Sequence, residues 1–150
     1  MRVVIQRVSR ASVEVEGNQS GAIEKGLCVF LGVQKDADEQ DLVWLTKKII
    51  NLRIFNDASG KMNLSVLDVN GDILLISQFT LHASTRKGNR PSFIQSERPS
   101  RAEELYNTCI GLLEQELDKP IQTGVFGGDM KVFIENDGPV TILMDSQQRW

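Results

Sequence analysis

Leu27-Cys28-Val29-Phe30-Leu31-Gly32-Val33 is a run without one polar side chain, set between Gly26 and Gln34-Lys35-Asp36. It has strand length, and a strand with no wet face is one covered on both sides. The run predicts the central strand of a sheet. Upstream, Ala11-Ser12-Val13-Glu14-Val15-Glu16 alternates apolar and polar, as a strand with one solvated face does. Gly17-Asn18 signals a turn, and a second short strand centres on Ala22-Ile23. Downstream, Asp36 and Asp38 open a helix. Its Leu42, Leu45, Ile49 and Leu52 recur at three- and four-residue spacing, and Lys47 and Lys48 lie towards its C-terminal end.

The same reading extends through the rest of the chain. Arg53-Ile54-Phe55 runs into a turn cluster over 56–60. Asp72-Ile73-Leu74-Leu75-Ile76-Ser77-Gln78-Phe79-Thr80-Leu81 is a buried strand that ends in polar residues. Ser100 starts a second helix with Glu103 as its capping-box partner, Leu105, Cys109, Leu112 and Leu113 form its buried stripe, and Pro120 lies past its end. Two further strands over 130–135 and 140–145 are joined through Asn136-Asp137-Gly138-Pro139. No linker or repeat interrupts this order. It predicts one α+β domain over 1–150, with curved, mostly antiparallel strands carrying two main helices.

Composition narrows the chemistry. Hydrophobic residues make up 41% and charged residues 25% of 150, with a net charge of −3. These values suit a globular chain and exclude a general polycation that coats nucleic acid. No apolar run approaches the ~18 residues of a membrane span, and the first residues lack a signal peptide's apolar stretch, so a cytosolic protein with no membrane partner is expected. Cys28 and Cys109 lie in apolar patterns and read as core residues. With one histidine, His82, and two separated cysteines, the usual zinc sites cannot be built, so neither metal nor cofactor is expected. Any Ser-His-Asp triad has to use His82.

Four stretches could carry chemistry. Ser77, Gln78 and Thr80 crowd the end of an apolar strand, where scaffolds present polar groups to ligands. A strand simply reaching the surface gives the same pattern. Asn136-Asp137-Gly138-Pro139-Val140-Thr141 reads either as a plain hairpin loop or as exposed main chain, since a Gly-Pro pair leaves its carbonyls unshielded and an X-Pro bond tolerates the cis form. Arg86, Lys87 and Arg90, with Arg98 and Arg101 nearby, form either a phosphate-binding lip or a solvated loop. In the glycine-rich stretch over 123–130, Phe126 and Met130 could line a slot for a nucleobase.

At these residues the chain resembles the D-aminoacyl-tRNA deacylases, over nearly its whole length. Gln6-Arg7-Val8, Ala11-Ser12-Val13, Leu52-Arg53-Ile54-Phe55, Gly60-Lys61-Met62-Asn63 and Arg90-Pro91-Ser92-Phe93 contribute to the likeness. The most specific motifs are Ser77-Gln78-Phe79-Thr80-Leu81 and Asn136-Asp137-Gly138-Pro139-Val140-Thr141. His82, Ser84 and Gly128 depart from the family pattern, and the tail over 147–150 lies outside it. The resemblance implies a barrel-like fold, a homodimer with its active site at the interface, and hydrolysis of D-aminoacyl-tRNA without metal or cofactor. It further implies a cis Gly138-Pro139 pair that enters the partner's pocket as a chiral gate, braced by Arg7. Ser77, Gln78, Phe79 and Thr80 would hold the terminal adenosine and the ester, whose own 2′-hydroxyl assists. Activity on glycyl-tRNA is expected too, and DNA is not an expected partner. Two rival readings are a small-molecule esterase with Ser77 or Thr80 as nucleophile and His82 as base, and a non-catalytic RNA-binding module.

Overall fold

One long strand organises the molecule, a computed structural model that describes residues 1–149. β1 (Arg2–Val15) pairs antiparallel with three partners. Along one edge it meets β3 (Gly26–Gly32) and then β2 (Asn18–Ile23); along the other it meets β8 (Met130–Asp145). β4 (Phe55–Asn56) and β5 (Met62–Leu64) pair only with each other among the described residues. β6 (Asp72–Ser77) and β7 (Gln122–Thr123) continue the main sheet in the order β2-β1-β3-β6-β7. The sheet nearly closes: Ala22 N–H donates to Gln122 Oε1 at 3.4 Å, and a Cβ on Gly21 would lie 2.7 Å from Thr123 O. The expected α+β, barrel-like class is therefore the observed one.

The pairings of β1 are antiparallel, but β3–β6 and β6–β7 are parallel. A parallel pair needs a crossover long enough to return the chain, and each helix supplies one. α1 (Glu39–Asn51) lies between β3 and β6, and α2 (Pro99–Leu117) between β6 and β7. Both pack on the same side of the sheet and against each other. Their core includes Leu27, Val29, Leu75, Leu42, Ile49 and Leu105, all at most 1% exposed. Each such side chain contributes about 1.5–3 kcal/mol when fully buried. The barrel interior is a second cluster containing Val8, Val13, Cys28, Leu74 and Ile76. Both cysteines are buried, and burial pushes their thiols up to about 12, as befits core residues.

Local signals hold at α1 and fail at α2. Asp38 caps α1, accepting from Asp41 N–H at 3.0 Å while Asp41 accepts from Asp38 N–H at 3.2 Å. The expected Ser100–Glu103 capping box is absent, because Pro99 is already the first helical residue and Arg98 takes the cap position without a side-chain bond. Proline suits that place: its φ is helical and it lacks an N–H that would go unpaired.

Two strand expectations are corrected. The strand from Asp72 ends at Ser77, and Phe79–His82 is a 3₁₀ turn. The two strands expected over 130–135 and 140–145 do not pair as a hairpin. Both lie on the same edge of β1 and belong to β8. Val8 pairs with Asn136 and Gln6 with Thr141, so Asp137, Gly138, Pro139 and Val140 all lie opposite Arg7 alone. β1 is long enough to satisfy both halves, and the surplus residues are forced out as a protrusion.

Candidate active site

A cavity of about 440 Å³ opens at the end of β6. Ser77, Gln78 and Phe79 reach it from the strand end, Phe126 and Met130 from the glycine-rich segment, and Tyr106 from α2. Five residues singled out in the sequence are thus brought together. Thr80 does not line the cavity, though its hydroxyl accepts a hydrogen bond from Gln78 Nε2. Tyr106 was missed because it sits beside the helix's apolar stripe and reads as core. Its hydroxyl donates to Leu75 O at 2.8 Å, and burial pushes its pKa up. Its ring lies 5.7 Å from that of Phe126, giving the cavity an aromatic wall.

Main-chain bonds fix the end of β6 beside the cavity. Gln78 N–H donates to Leu31 O at 2.8 Å, which fixes where the strand stops. The first hydrogen bond of the 3₁₀ turn runs from Leu81 N–H to Gln78 O. The N–H groups of Phe79 and Thr80 precede it and have no acceptor among the described residues. Free, preorganised N–H groups are what an oxyanion requires.

Gly32 sets the position of this turn. A Cβ there would lie 2.8 Å from Gln78 O and 3.0 Å from Leu81 Cβ and His82 Cδ2. Gly32→Ala should therefore push the turn away and misalign its N–H groups. Because one oxyanion donor is worth about 10²–10³ in rate, we expect turnover to fall about 10- to 100-fold with the fold retained. Steady-state kinetics beside circular dichroism checks this, and wild-type turnover would show that the turn's placement is irrelevant.

His82 stands apart. It is 5% exposed, does not line the main cavity, and borders a separate one of about 410 Å³ with Arg2 and Asp145. Burial lowers its pKa, and its Nε2 has no partner among the described residues. No hydrogen bond joins it to Ser77 or Thr80 among the described residues. The esterase arrangement is not assembled. We expect His82→Gln to keep most of its turnover; losing the roughly hundredfold or more that a general base supplies would revive that reading. Among the described residues, no group of three His, Cys, Asp or Glu side chains could share a metal ion.

The second motif forms a braced protrusion. The Gly138-Pro139 bond is cis, and Gly138 has φ +127°, a conformation that favours glycine. Arg7, only 6% exposed, holds the base of the protrusion. Its Nη1 donates to Ile54 O at 2.6 Å and to Asn56 Oδ1 at 3.4 Å, and its Nε donates to Asp137 O at 3.1 Å while pairing with the Asp137 carboxylate. Asn136 Nδ2 closes the excursion on Val140 O at 3.2 Å. Gly138 and Pro139 are exposed and do not line the main cavity of their own chain. Pocket and protrusion lie apart.

The basic loop is likewise outside the cavity. Arg86, Lys87 and Arg90 are exposed and make no ion pair among the described residues. No helix among the described residues is long and apolar enough to cross a membrane.

Fold and site together define a small α+β domain with a nearly closed sheet and an aromatic-walled pocket at a strand end. Residues 4–145 match the family described as D-Tyr-tRNA(Tyr) deacylase, and the chain belongs to that family. It is a hydrolase of that type. It is 56% identical over 149 residues to a D-aminoacyl-tRNA deacylase of Flavobacterium johnsoniae and 52% identical to one of Bacteroides thetaiotaomicron, with 99% of both chains covered in each comparison. The solved c-Myc DNA Unwinding Element Binding Protein superposes with a TM-score of 0.91 at 43% identity, over 97% of this chain and 98% of that one. A probable eukaryotic D-amino acid tRNA deacylase, at 17% identity and TM-score 0.79, shares the fold.

Proposed function

We propose that the protein hydrolyses the ester of D-aminoacyl-tRNA, releasing free D-amino acid and tRNA in the cytoplasm, and that it rejects L-aminoacyl-tRNA through the Gly138-Pro139 main chain of a partner subunit. The observation that carries this is the cavity at Ser77, Gln78 and Phe79, walled by aromatic rings, with the Phe79 N–H and, just outside the lining, the Thr80 N–H left without an acceptor among the described residues. Phe126 and Met130 take the terminal adenine. Water adds to the ester carbonyl, the N–H groups of Phe79 and Thr80 hold the developing oxyanion, and the carbon–oxygen bond to the ribose breaks as that oxygen takes a proton. The neighbouring 2′-hydroxyl assists. An aminoacyl ester is already activated, so positioning and oxyanion donors supply much of the rate.

The separation of pocket and protrusion within one chain supports a gate supplied in trans. The free edge of β8 carries that protrusion between two exposed apolar residues, Phe133 (53%) and Leu143 (47%), which suits pairing with a second copy. A gate of main-chain carbonyls excludes by shape and needs no side-chain code, so D-residues of many kinds pass. Glycyl-tRNA, with no side chain to clash, is a further substrate.

The test is hydrolysis of D-Tyr-tRNA and L-Tyr-tRNA by the purified protein, with and without EDTA. Rapid, chelator-insensitive release from the D-ester alone is expected; equal rates on both esters, or none on either, would overturn the reading. Arg86, Lys87 and Arg90 would contact tRNA phosphates. Changing all three to glutamine should weaken different tRNAs alike and reduce the slope of log affinity against log salt by about two, at about 0.7 per phosphate contact on single strands. An unaltered slope would reduce the loop to solvated surface.

A further inference from the structure

Phe79 lines the cavity, and Phe93, outside the lining, meets its ring edge to face, with centroids 5.0 Å apart and planes inclined by 68°. Both rings face water, Phe79 being 58% and Phe93 36% exposed. They come from separate segments that are firmly tied together. Ser84 and Ser92 exchange backbone hydrogen bonds at 2.8 and 2.9 Å, closing the basic loop immediately before Phe93. Ser96 Oγ donates to Phe79 O at 3.1 Å. Lys35 N–H donates to Gln95 O, and Glu97 N–H to Val33 O, anchoring the far side to the end of β3. Arg86, Lys87 and Arg90, which make no ion pair among the described residues, thus lie in a closed loop that leads directly into Phe93, which meets Phe79 of the 3₁₀ turn.

We infer that Phe93, with the exposed part of Phe79, is a stacking platform for the nucleobase that precedes the esterified 3′-terminal nucleotide, and that the loop cations meet the phosphates beside it. This rests on the aminoacyl-tRNA reading above. With the terminal nucleoside ester inside the cavity, the RNA strand has to leave across the rim, where the first base outside meets these rings. Every base has a π-face, so the platform serves any single-stranded RNA 3′ end and selects no particular sequence. Cations beside exposed aromatic rings form the usual pattern of a single-strand channel. The core of a protein–protein interface is instead depleted in charge, which argues against a second copy of the chain as the occupant.

The experiment compares D-tyrosine esterified to adenosine with the same ester on full-length tRNA. Phe93→Ala should lower kcat/KM on tRNA about 5- to 100-fold, mainly through KM, as loss of one base stack does. The nucleoside ester, which ends before the platform, should be hydrolysed at the wild-type rate, and Phe93→Trp should restore the tRNA reaction. In the F93W protein, uncharged tRNA should quench the added indole fluorescence relative to wild type. Equal losses on both substrates would overturn the inference by showing that Phe93 only holds Phe79 in place. Wild-type kinetics on both substrates, an unquenched indole at saturating tRNA, or a loss that tracks dissociation of a dimer would overturn it as well. A wild-type protein inert towards both esters would refute the catalytic reading itself, and quenching would then still decide whether the rings stack on RNA.

Discussion

Gly138→Ala is expected to destroy chiral selection while leaving most of the fold in place. At φ +127° a side chain is strained whatever its surroundings, at about 1–3 kcal/mol. The surroundings are also closed. The new methyl would lie 2.8 Å from Val140 Cγ2, 3.1 Å from Val140 N and 3.0 Å from Arg7 Nη2. Val140 is buried and Arg7 is tied to three other groups, so the exposed protrusion is what gives way. Its carbonyls would then leave the positions that the proposed gate requires. The expected result is a fall in kcat/KM on D-Tyr-tRNA of about 10- to 100-fold, from that strain and misplacement, with the D-over-L ratio moving towards one. Unfolding by urea should show a loss of no more than that strain, about 1–3 kcal/mol, because the protrusion is exposed. A G138A protein with wild-type selectivity would remove the gate from the mechanism.

Arg7→Lys should damage both stability and selectivity. The guanidinium links the Ile54 carbonyl, Asn56 and Asp137, so one side chain joins β1, the segment after α1 and the protrusion. An ammonium is a compact charge without the planar fork and cannot span these acceptors together. The buried Ile54 O then loses a charged donor at 2.6 Å, a bond type worth about 1.5–3 kcal/mol. The Asp137 ion pair adds little to this, since that carboxylate is 58% exposed and screened. A total loss of about 2–4 kcal/mol is expected, or a melting temperature lower by roughly 5–12 °C for a chain of this size. The D-over-L ratio should fall as well if the proposed gate operates, because Asp137 immediately precedes Gly138. Calorimetry with the two-substrate assay checks both effects. An R7K protein that melts and discriminates like wild type would contradict the bracing role.

The features legible in the sequence were those set by neighbours within a few positions. The apolar run over 27–33 became a strand buried on both faces because seven consecutive apolar residues leave no side for water. Asp38, read as opening the helix, caps α1 because the reach of a carboxylate to an N–H three residues on is purely local. Ser77, Gln78 and Phe79 could be singled out because polarity changes abruptly there, and Gly138-Pro139 because a Gly-Pro pair exposes main chain.

What lay beyond such signals was decided by partners distant in the chain. Whether 130–135 and 140–145 pair with each other or with β1 depends on how much edge β1 leaves free, and a hairpin reading could not know its length. The parallel pairing of β6 between β3 and β7 follows from where two helices pack, not from the strand's own residues. Tyr106 joined the cavity and His82 was withdrawn from it because packing aimed one side chain at Phe126 and buried the other beside Arg2 and Asp145. The same holds for the two motifs. Their residues are plain in the sequence, but only the tertiary structure separates the protrusion from the pocket, because β8 lies against β1 while Ser77 ends β6, and neither strand encodes the distance between them.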